Sequence, residues 1–179
     1  MVQPGIAPGA VIDGRYDVVR ALGRGGLGSV FEARDRLFER DVALKALRFD
    51  GLDVARAVEA FRREFSLLSG CAHPRLPRAY DFARTTRGGA PLTYTTAELI
   101  RGRTLAEHAR GRAFRAALPV LLDALDALGW LHGAGIVHGD FKPDNVLVRD
   151  DGAGVLIDLS AARRMRAAAG DLAGTARFL

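Results

Sequence analysis

Five stretches of the chain show the period-two alternation of apolar and polar residues, or the β-branched and aromatic enrichment, that predicts β-strands. They are residues 15–22, 29–34, 41–49, 78–84 and 92–99. A helical period interrupts them at 53–69, where five apolar residues share one helix face. These residues are Val54, Val58, Phe61, Phe65 and Leu68. The first hundred residues are therefore predicted to be mostly β-structure with one helix.

Helical signals dominate after residue 104. Thr104 is a suitable N-cap, and Glu107 three residues later completes the sequence pattern of a capping box. The segment 118–135 carries a stripe of leucines at helical spacing, which predicts a long helix with an apolar face. The stripe consists of Leu118, Leu121, Leu122, Leu125 and Leu128.

Two short strand-like runs, at 145–148 and 155–158, flank a glycine-containing turn and predict a β-hairpin. Residues 1–14 are rich in proline and glycine and are interpreted as a loose lead-in. The change of character then divides the chain into a β-rich unit, 15–100, and a mainly helical unit, 101–179. The predicted fold class is α+β.

Composition limits the class of protein. The chain has 179 residues, of which 49% are hydrophobic, enough for a buried core. No stretch approaches 18 consecutive apolar residues, so no membrane span is predicted, and the N-terminus lacks the pattern of a signal peptide. Cys71 is the only cysteine and cannot form an internal disulfide, which favours a reducing, cytoplasmic setting.

The chain is basic, with a formal net charge of +5 and a pI of about 10.1. Its 24 arginines are scattered along the sequence, so a compositional habit explains the charge better than a nucleic-acid site, and no nucleic-acid partner is expected. Only two lysines, Lys45 and Lys142, and one asparagine, Asn145, occur. Because arginine and lysine are not interchangeable where a compact point charge must meet a phosphate, these rare residues indicate positions where the habit could not be followed.

Gly23, Gly25 and Gly28 form the pattern G-x-G-x-x-G. A dinucleotide-binding turn would require a helix to begin here, whereas the strand pattern continues through Ser29 and Val30. Two interpretations remain. The glycines form either a flexible hairpin turn or a lid whose main-chain N–H groups face phosphates.

Lys45 lies in the third predicted strand, flanked by apolar residues. It is either an edge lysine in solvent or a phosphate-binding lysine held by a carboxylate. Glu64 is the favoured partner because it lies beside Phe61 and Phe65 on the packed side of the predicted helix. Glu59 is the competing choice, and a solvated carboxylate is the structural alternative for Glu64.

The stretch "HGDFKPDN" (138–145) collects chemically active residue types in a short loop before a strand. Asn145 and Asp158, which ends the next strand, can share one hard cation such as Mg²⁺ together with phosphate and water. Asp140 is then free to accept a proton from an attacking hydroxyl. Lys142 would offset the charge on a transferring phosphoryl group.

With these motifs in this order, the chain resembles the catalytic domain of bacterial Ser/Thr protein kinases from about Ile12 to Leu179. The segment "GRGGLGSV" resembles the glycine-rich loop, "VALK" the strand lysine, and "HGDFKPDN" the catalytic loop. The segment "AELIRGRTL" (97–105) resembles the hinge. The segment "DLS" (158–160) stands where D-F-G is expected, and "GTARFL" (174–179) resembles the stretch before A-P-E.

The resemblance implies a two-lobe fold with a β-rich N-lobe and the first part of a helical C-lobe. It implies ATP and Mg²⁺ (or Mn²⁺) as cofactors and a protein substrate with a Ser or Thr acceptor. The implied catalytic residues are Asp140, Lys142, Lys45, Glu64 and Thr175. The implied nucleotide-binding residues are Leu22, Gly23, Gly25, Gly28, Val30, Ala43, Lys45, Glu98, Ile100 and Leu147, with Ala97 as a small gatekeeper. The implied metal ligands are Asn145 and Asp158.

The catalytic loop departs from the family pattern at Gly139, which replaces the arginine that pairs with a phosphorylated activation segment. The segment 161–174 also contains no Ser, Thr or Tyr. These two features predict a kinase that activation-loop phosphorylation does not switch. Thr175 is interpreted as the threonine that favours Ser/Thr substrates.

Leu159 and Ser160 replace the phenylalanine and glycine that follow the metal-binding aspartate in the family. Leucine can fill the same apolar slot, whereas serine loses the positive-φ freedom of glycine. We therefore expect reduced conformational flipping of Asp158, with its chemistry retained.

The sequence stops four residues after Thr175, before the rest of the family's lower lobe, so a truncated or incomplete chain is expected. The apolar helix 118–132 is then expected to lack partners and to promote association. The expected function is ATP-dependent phosphoryl transfer to Ser/Thr hydroxyls of proteins. A non-catalytic nucleotide-binding module and a kinase-like phosphotransferase acting on small molecules are the alternatives.

Overall fold

The computed structural model of the protein describes residues 6–25, 28–47 and 53–165. Its larger sheet has six strands, paired antiparallel in the order β1-β2-β3-β4-β6-β5. The strands are β1 Val11–Ile12, β2 Tyr16–Gly25, β3 Gly28–Asp35, β4 Arg40–Leu47, β5 Ala79–Arg87 and β6 Ala90–Glu98. The five strands predicted in this part of the sequence are confirmed.

The first helix, α1, spans Val54–Ser69, and its position on the sheet is set by aromatic packing. Asp53 caps the helix by accepting hydrogen bonds from two main-chain N–H groups of the first turn. Phe61 and Phe65 pack against Phe82 of β5, with ring centroids 6.4 and 5.8 Å apart. Of the apolar face predicted from the helical period, Val58, Phe61 and Phe65 cover the sheet. Val54 is exposed, and Leu68 packs with the core around α3 instead.

Residues 6–14 differ from the loose lead-in that the sequence predicted. Ile6 and Ile12 are each 1% exposed and pack into the core of the sheet with Tyr16 and Phe31. Ile12 belongs to β1, which pairs with the start of β2. A two-residue strand is too short to create a periodic pattern, and for this reason the sequence did not reveal it.

The second half of the described chain has two α-helices, α2 Leu105–Ala109 and α3 Leu118–Gly133. The capping box predicted at Thr104 and Glu107 is confirmed. Five short strands accompany the helices: β7 Arg103–Thr104, β8 Ile136–Val137, β9 Val146–Val148, β10 Gly154–Leu156 and β11 Arg163–Arg164. Strand β9 pairs with β10 and β7, and β8 pairs with β11. No helix among the described residues is long and apolar enough to cross a membrane.

Helix α3 packs through one buried face and through part of its leucine stripe, since Leu121 and Leu128 are half-buried against the core. Its buried residues are Val120, Ala124, Ala127 and Leu131. Three members of the predicted stripe are exposed: Leu118, Leu122 and Leu125. The backbone of β10 approaches the helix so closely that a Cβ on Gly154 would lie 2.8 Å from the carbonyl oxygen of Val120. The expectation of exposed apolar surface on this helix is thus confirmed.

The turn between β3 and β4 is fixed by Asp35, whose side chain is fully buried. Arg15 Nε and Nη2 donate to the two carboxylate oxygens of Asp35 at 2.8 Å each, and the Leu37 N–H donates at 3.0 Å. These bonds hold the pKa of Asp35 below its ordinary value although burial opposes them. An exposed ion pair joins Arg36, in the same turn, to Asp17 of β2 at 2.6 Å.

We expect Asp35→Asn to lower the free energy of unfolding by about 2 kcal/mol, because it removes the charge that faces Arg15 in a buried site. The loss is smaller than for an isolated charge, since Asp81 remains 3.0 Å from Arg15 Nη2. Asp17→Asn breaks the exposed pair and should cost less than about 1 kcal/mol. Urea unfolding at neutral pH measures both, and equal losses would contradict the role of burial.

The pH dependence of the stability difference between the natural protein and Asp35→Asn is the control for this prediction. A folded-state pKa below the ordinary 3.8 means that the stabilisation is present above pH 3.8 and is lost as pH falls through the folded-state value. The difference in stability between the natural protein and Asp35→Asn should therefore shrink on acidification below that pH.

Candidate active site

The ammonium of Lys45 lies between two carboxylates from distant parts of the chain. Lys45 is on β4, paired with Val30 of β3 and Thr95 of β6. Its Nζ is 2.6 and 2.9 Å from the carboxylate oxygens of Glu64 and 3.4 Å from Asp158 Oδ1. Glu64 comes from α1 and Asp158 from the segment after β10. The fold thus brings together three residues that the sequence singled out.

These three side chains are largely removed from solvent. Lys45, Glu64 and Asp158 are 14%, 12% and 24% exposed. Burial raises the pKa of Glu64, and the nearby Lys45 only partly opposes this effect. Burial acts on Asp158 in the same direction, but Lys45 and hydrogen bonds from Ser160 together outweigh it and lower the pKa of Asp158. Asp158 is therefore the more acidic group of the two and the better ligand for a cation.

The catalytic-loop candidates Asp140, Lys142 and Asn145 contact one another. Asp140 Oδ2 accepts hydrogen bonds from Lys142 Nζ at 2.7 Å and from Asn145 Nδ2 at 3.1 Å. The Asn145 amide also donates to the Asp140 main-chain oxygen at 2.8 Å. The bond from Lys142, followed by that from Asn145, lowers the pKa of Asp140. Because the amide nitrogen of Asn145 is engaged, its carbonyl oxygen is the atom left to bind a cation.

His138 positions this loop, although sequence reasoning did not assign it a role. It is 1% exposed, its Nε2 lies 3.2 Å from the Ile157 carbonyl oxygen, and its Nδ1 accepts the Asp140 N–H at 3.3 Å. Burial lowers the pKa of His138, which favours the neutral ring that this pair of bonds requires. The residue links the backbone of Asp140 to the residue preceding Asp158. Its place at the head of the loop motif was the only available sequence signal.

The positive φ that the family pattern predicts at position 160 occurs at Asp158 instead. Asp158 has φ +65°, whereas Ser160 is not among the described non-glycine residues with positive φ. Aspartate tolerates this left-handed region better than most residues, and the Ser160 N–H donates to Asp158 Oδ1 at 3.2 Å. Serine is therefore accommodated at position 160. Leu159 is 3% exposed in the core around α3, as expected for a leucine that fills an apolar slot.

Gly139 is required by the backbone as well as being a departure from the family pattern. Its φ is +84°, and a Cβ at this position would lie 2.4 Å from the carbonyl oxygen of Ala161. The catalytic loop and the segment after Asp158 therefore touch through main-chain atoms. Sequence reasoning explained the glycine only as a lost arginine side chain, because a contact between residues 22 positions apart leaves no local pattern.

Further main-chain contacts hold the segment after Asp158. Strand β11 pairs with β8, so that Arg163 lies opposite Val137 and Arg164 opposite Ile136. The Met165 N–H donates to the Gly135 carbonyl oxygen at 2.7 Å. Up to residue 165, main-chain hydrogen bonds therefore fix this segment to the chain that enters the catalytic loop.

The glycine motif lies in the hairpin formed by β2 and β3. Gly25 is opposite Gly28, and the strand continues through Val30 as predicted. Gly28 has a clear reason to be glycine, because a Cβ there would lie 2.2 Å from the Ala46 carbonyl oxygen. Gly23 has no such restriction. Residues 26–27, at the tip of the motif, lie outside the described residues.

The other nucleotide-binding candidates lie on neighbouring strands. Ala43 of β4 is opposite Ala97 of β6, and Leu147 of β9 is opposite Thr104. Leu22 is 39% exposed on β2. The remaining candidates are Glu98, which ends β6, and Ile100, two residues later. The main-chain N–H of Glu98 donates to the Arg78 carbonyl oxygen at 2.8 Å, so only its carbonyl is left for a ligand.

The side chains around this connection form ion pairs that sequence reasoning missed. Glu98 Oε1 accepts from Arg149 Nη2 at 2.7 Å, which joins the end of β6 to the turn after β9. Arg101 Nη2 is 2.8 Å from Glu32 and from Asp41 on the larger sheet. Such pairs give no sequence signal in a chain with 24 arginines, since any arginine could be the partner.

The predicted catalytic residue Thr175 and the predicted metal site complete the list of candidates. Thr175 lies outside the described residues. No cluster of three or more His, Cys, Asp or Glu side chains suited to a metal ion occurs in the described ranges. A divalent cation at Asp158 would therefore rely on Asn145 and on non-protein oxygens, a ligand set typical of Mg²⁺ with phosphate and water.

Comparison with known proteins gives the same assignment. The chain matches the family model for the protein kinase domain over residues 16–179. Similar proteins include the probable serine/threonine-protein kinase pknA2 of Bifidobacterium longum, 34% identical over 96% of this chain and 24% of the relative. PknB of Mycolicibacterium smegmatis is 35% identical over 84% of this chain and 25% of its own length. PknG of the same organism is 33% identical over 90% of this chain and 21% of its own length.

The chain spans about a quarter of the length of the curated relatives that it matches. The family match covers nearly all of the described residues and confirms the predicted two-lobe fold class. The β-rich first half with one helix and the helical second half agree with it. This chain belongs to the protein kinase domain family.

Proposed function

We propose that this chain carries the ATP-binding and phosphoryl-transfer groups of a serine/threonine protein kinase. The observation that carries the proposal is the contact of Lys45 Nζ with both Glu64 and Asp158. It is supported by the catalytic loop, in which Asp140 is held by Lys142 and Asn145. The names of the relatives, which are serine/threonine-protein kinases, support the same acceptor class.

In this proposal, the nucleotide binds between the larger sheet and the catalytic loop. Lys45 contacts the phosphates, and Glu64 fixes the direction of its ammonium. The hairpin carrying Gly23, Gly25 and Gly28 covers the phosphates with main-chain N–H groups. The adenine meets the main chain of Glu98 and Ile100, between apolar walls formed by Leu22, Val30, Ala43 and Leu147.

Asp140 acts as the general base. Its lowered pKa keeps it a carboxylate at neutral pH, so it can accept the proton of a serine or threonine hydroxyl. The hydroxyl oxygen forms a bond to the γ-phosphorus, and the bond from that phosphorus to the bridging oxygen of the leaving ADP breaks. Lys142 offsets charge on the transferred group. Asn145 and Asp158 would hold Mg²⁺ (or Mn²⁺), which would supply charge neutralisation at the phosphates.

Binding and transfer are measured separately. Binding of a fluorescent ATP analogue is titrated with Mg²⁺, with Mn²⁺ and with EDTA, and labelled phosphate transfer is then followed to a generic protein and to an aminoglycoside. Metal-dependent binding with transfer to protein supports the proposal. Binding without any transfer would favour the non-catalytic module, and transfer to the aminoglycoside alone would favour a small-molecule phosphotransferase.

Asp140→Asn should reduce phosphoryl transfer by about 10²- to 10⁴-fold, because the amide cannot take the hydroxyl proton. Nucleotide affinity should change little, since Asp140 is proposed to act on the acceptor. Asp150→Asn, which alters an exposed carboxylate on the turn after β9, is the matched control and should transfer phosphate normally. Transfer that survives Asp140→Asn would reject the assignment of the base.

We also propose that the segment after Asp158 is positioned without phosphorylation. Three observations support this: the contact of Gly139 with Ala161, the pairing of β8 with β11, and the absence of Ser, Thr and Tyr from 161–174. Phosphatase treatment should leave transfer activity unchanged. Phosphate on Ser160 or Thr175 in mass spectra, together with loss of activity on dephosphorylation, would contradict the proposal.

Gly139→Ala should lower transfer and thermal stability more than Gly152→Ala does. Both glycines have similar positive φ, +84° and +86°, so both variants bear the cost of left-handed backbone, about 1–2 kcal/mol. Only at position 139 does the new Cβ also meet the Ala161 carbonyl oxygen, whereas Gly152 has no atom within 4 Å of that position. Differential scanning fluorimetry and transfer assays measure both effects.

Gly139→Arg, which restores the arginine of the family pattern, is expected to lower activity for the same steric reason. Equal behaviour of the two alanine variants, or activity of Gly139→Arg at the natural level, would contradict a close main-chain contact.

A further inference from the structure

The segment that contains α2 is strongly positively charged. Residues 101–117 contain five arginines and one glutamate, a net charge of +4, against +5 for the whole chain. The arginines are Arg101, Arg103, Arg110, Arg112 and Arg115. Residues 161–179 carry a further net charge of +3, from four arginines and one aspartate, and the acid-rich segment 118–160, with a net charge of −5, offsets much of this positive charge.

Four of these arginines are available to a partner. Arg101 is engaged by Glu32 and Asp41. The other four are exposed, and none forms an ion pair with another residue in the described part of the chain. The one acid of the segment, Glu107, uses its carboxylate to accept the Thr104 N–H at 2.9 Å. We call Arg103, Arg110, Arg112 and Arg115 the α2 arginine patch.

The α2 arginine patch lies beside the catalytic loop. Helix α2 contacts the turn 143–145, which contains Asn145, and Arg103 in β7 is opposite Val148 in β9. Hydrogen bonds from Thr104, and after them the charges of Arg110 and Arg103, lower the pKa of Glu107. A polypeptide whose hydroxyl reaches Asp140 therefore passes close to this patch when it extends towards α2.

We propose that the α2 arginine patch binds acidic residues that flank the acceptor hydroxyl of a protein substrate. This inference rests on the proposed kinase function and adds the substrate class. Guanidinium groups pair with carboxylates in a bidentate geometry, and several exposed arginines of one sign also attract an acidic segment before contact. The exposed Asp144 on the adjoining turn carries the opposite charge, but it is one carboxylate against four guanidinium groups.

The size of the patch favours a peptide over a nucleic acid. Four arginines around a five-residue helix can meet a few carboxylates, and this number suits one short segment next to a reaction centre. Affinity for nucleic acid instead grows with the number of phosphates neutralised along an extended surface. Strand β9 and helix α3, the neighbours of α2, contribute no arginine or lysine, so the patch does not continue along them.

The test uses two fluorescent peptides with one serine each, flanked on both sides by aspartates in one and by asparagines in the other. The 179-residue chain should bind and phosphorylate the aspartate peptide with higher efficiency than the asparagine peptide. Arg103→Ala with Arg110→Ala should reduce this preference by about fivefold, the effect expected for two exposed charge pairs, and high salt should reduce it too. The Arg56→Ala, Arg84→Ala double variant removes two exposed arginines elsewhere and is the matched control.

Replacement of Arg103 and Arg110 by lysine separates charge from geometry and should restore most of the preference. Equal binding and phosphorylation of the two peptides by the natural chain would overturn the proposal, as would equal effects of the two alanine double variants. Tight binding of a single-stranded oligonucleotide through the same arginines, without binding of the aspartate peptide, would also overturn it and identify a nucleic-acid surface.

Peptide binding by anisotropy distinguishes this inference from the proposed function. If ATP binding and transfer both fail while the aspartate peptide still binds through the patch, the kinase assignment fails and the acidic-partner surface stands. If transfer occurs but ignores the flanking charges, the kinase assignment stands and the substrate class proposed for it is wrong.

Discussion

The ammonium of Lys45 between Glu64 and Asp158 is the interaction on which the arrangement of the site depends. Its three members come from β4, from α1 and from the segment after β10, so the contact joins elements that have no local connection. Partial burial makes these charges costly, as the raised pKa of Glu64 shows. The group is therefore a poor source of stability. It provides a fixed geometry instead, in which the Lys45 ammonium sets the positions of the Glu64 and Asp158 carboxylates relative to the sheet.

A second constraint acts through the main chain. Gly139 and Ala161 approach so closely that no side chain fits between the loop carrying Asp140 and the segment carrying Asp158. His138 adds hydrogen bonds to the same two parts of the chain. Electrostatic contact thus fixes Asp158 from the sheet side, and steric contact fixes it from the loop side. This double restraint is consistent with a left-handed backbone at Asp158, because strained conformations persist where the surroundings determine them.

Sequence patterns predicted the secondary-structure elements but missed several contacts between residues that are distant in the sequence. The five long strands, α1 and the pairing of Lys45 with Glu64 followed from periodicity, because a residue on the apolar face of a helix must meet the sheet it covers. The leucine stripe of α3 was only partly right: Leu121 and Leu128 pack against the core, whereas Leu118, Leu122 and Leu125 are exposed. The buried face of the helix is the one that carries Val120, Ala124, Ala127 and Leu131. The roles of Ile6 and of the Gly139 backbone depend on distant residues, and no spacing rule encodes such contacts.

Ion pairs of arginine are a further feature that the sequence alone does not predict. Counting arginines along the sequence suggested a uniform compositional habit, because composition ignores which guanidinium groups find a carboxylate. In the folded chain Arg15 and Arg149 are matched by acids 20 and 51 positions away, and such pairs contribute little to the field outside the protein. The field outside the protein comes mainly from arginines without a carboxylate partner, and the positions of the acidic residues determine which arginines these are. Around α2 the chain offers one glutamate, which already caps the helix, so the four exposed arginines of the patch form no ion pair among the described residues.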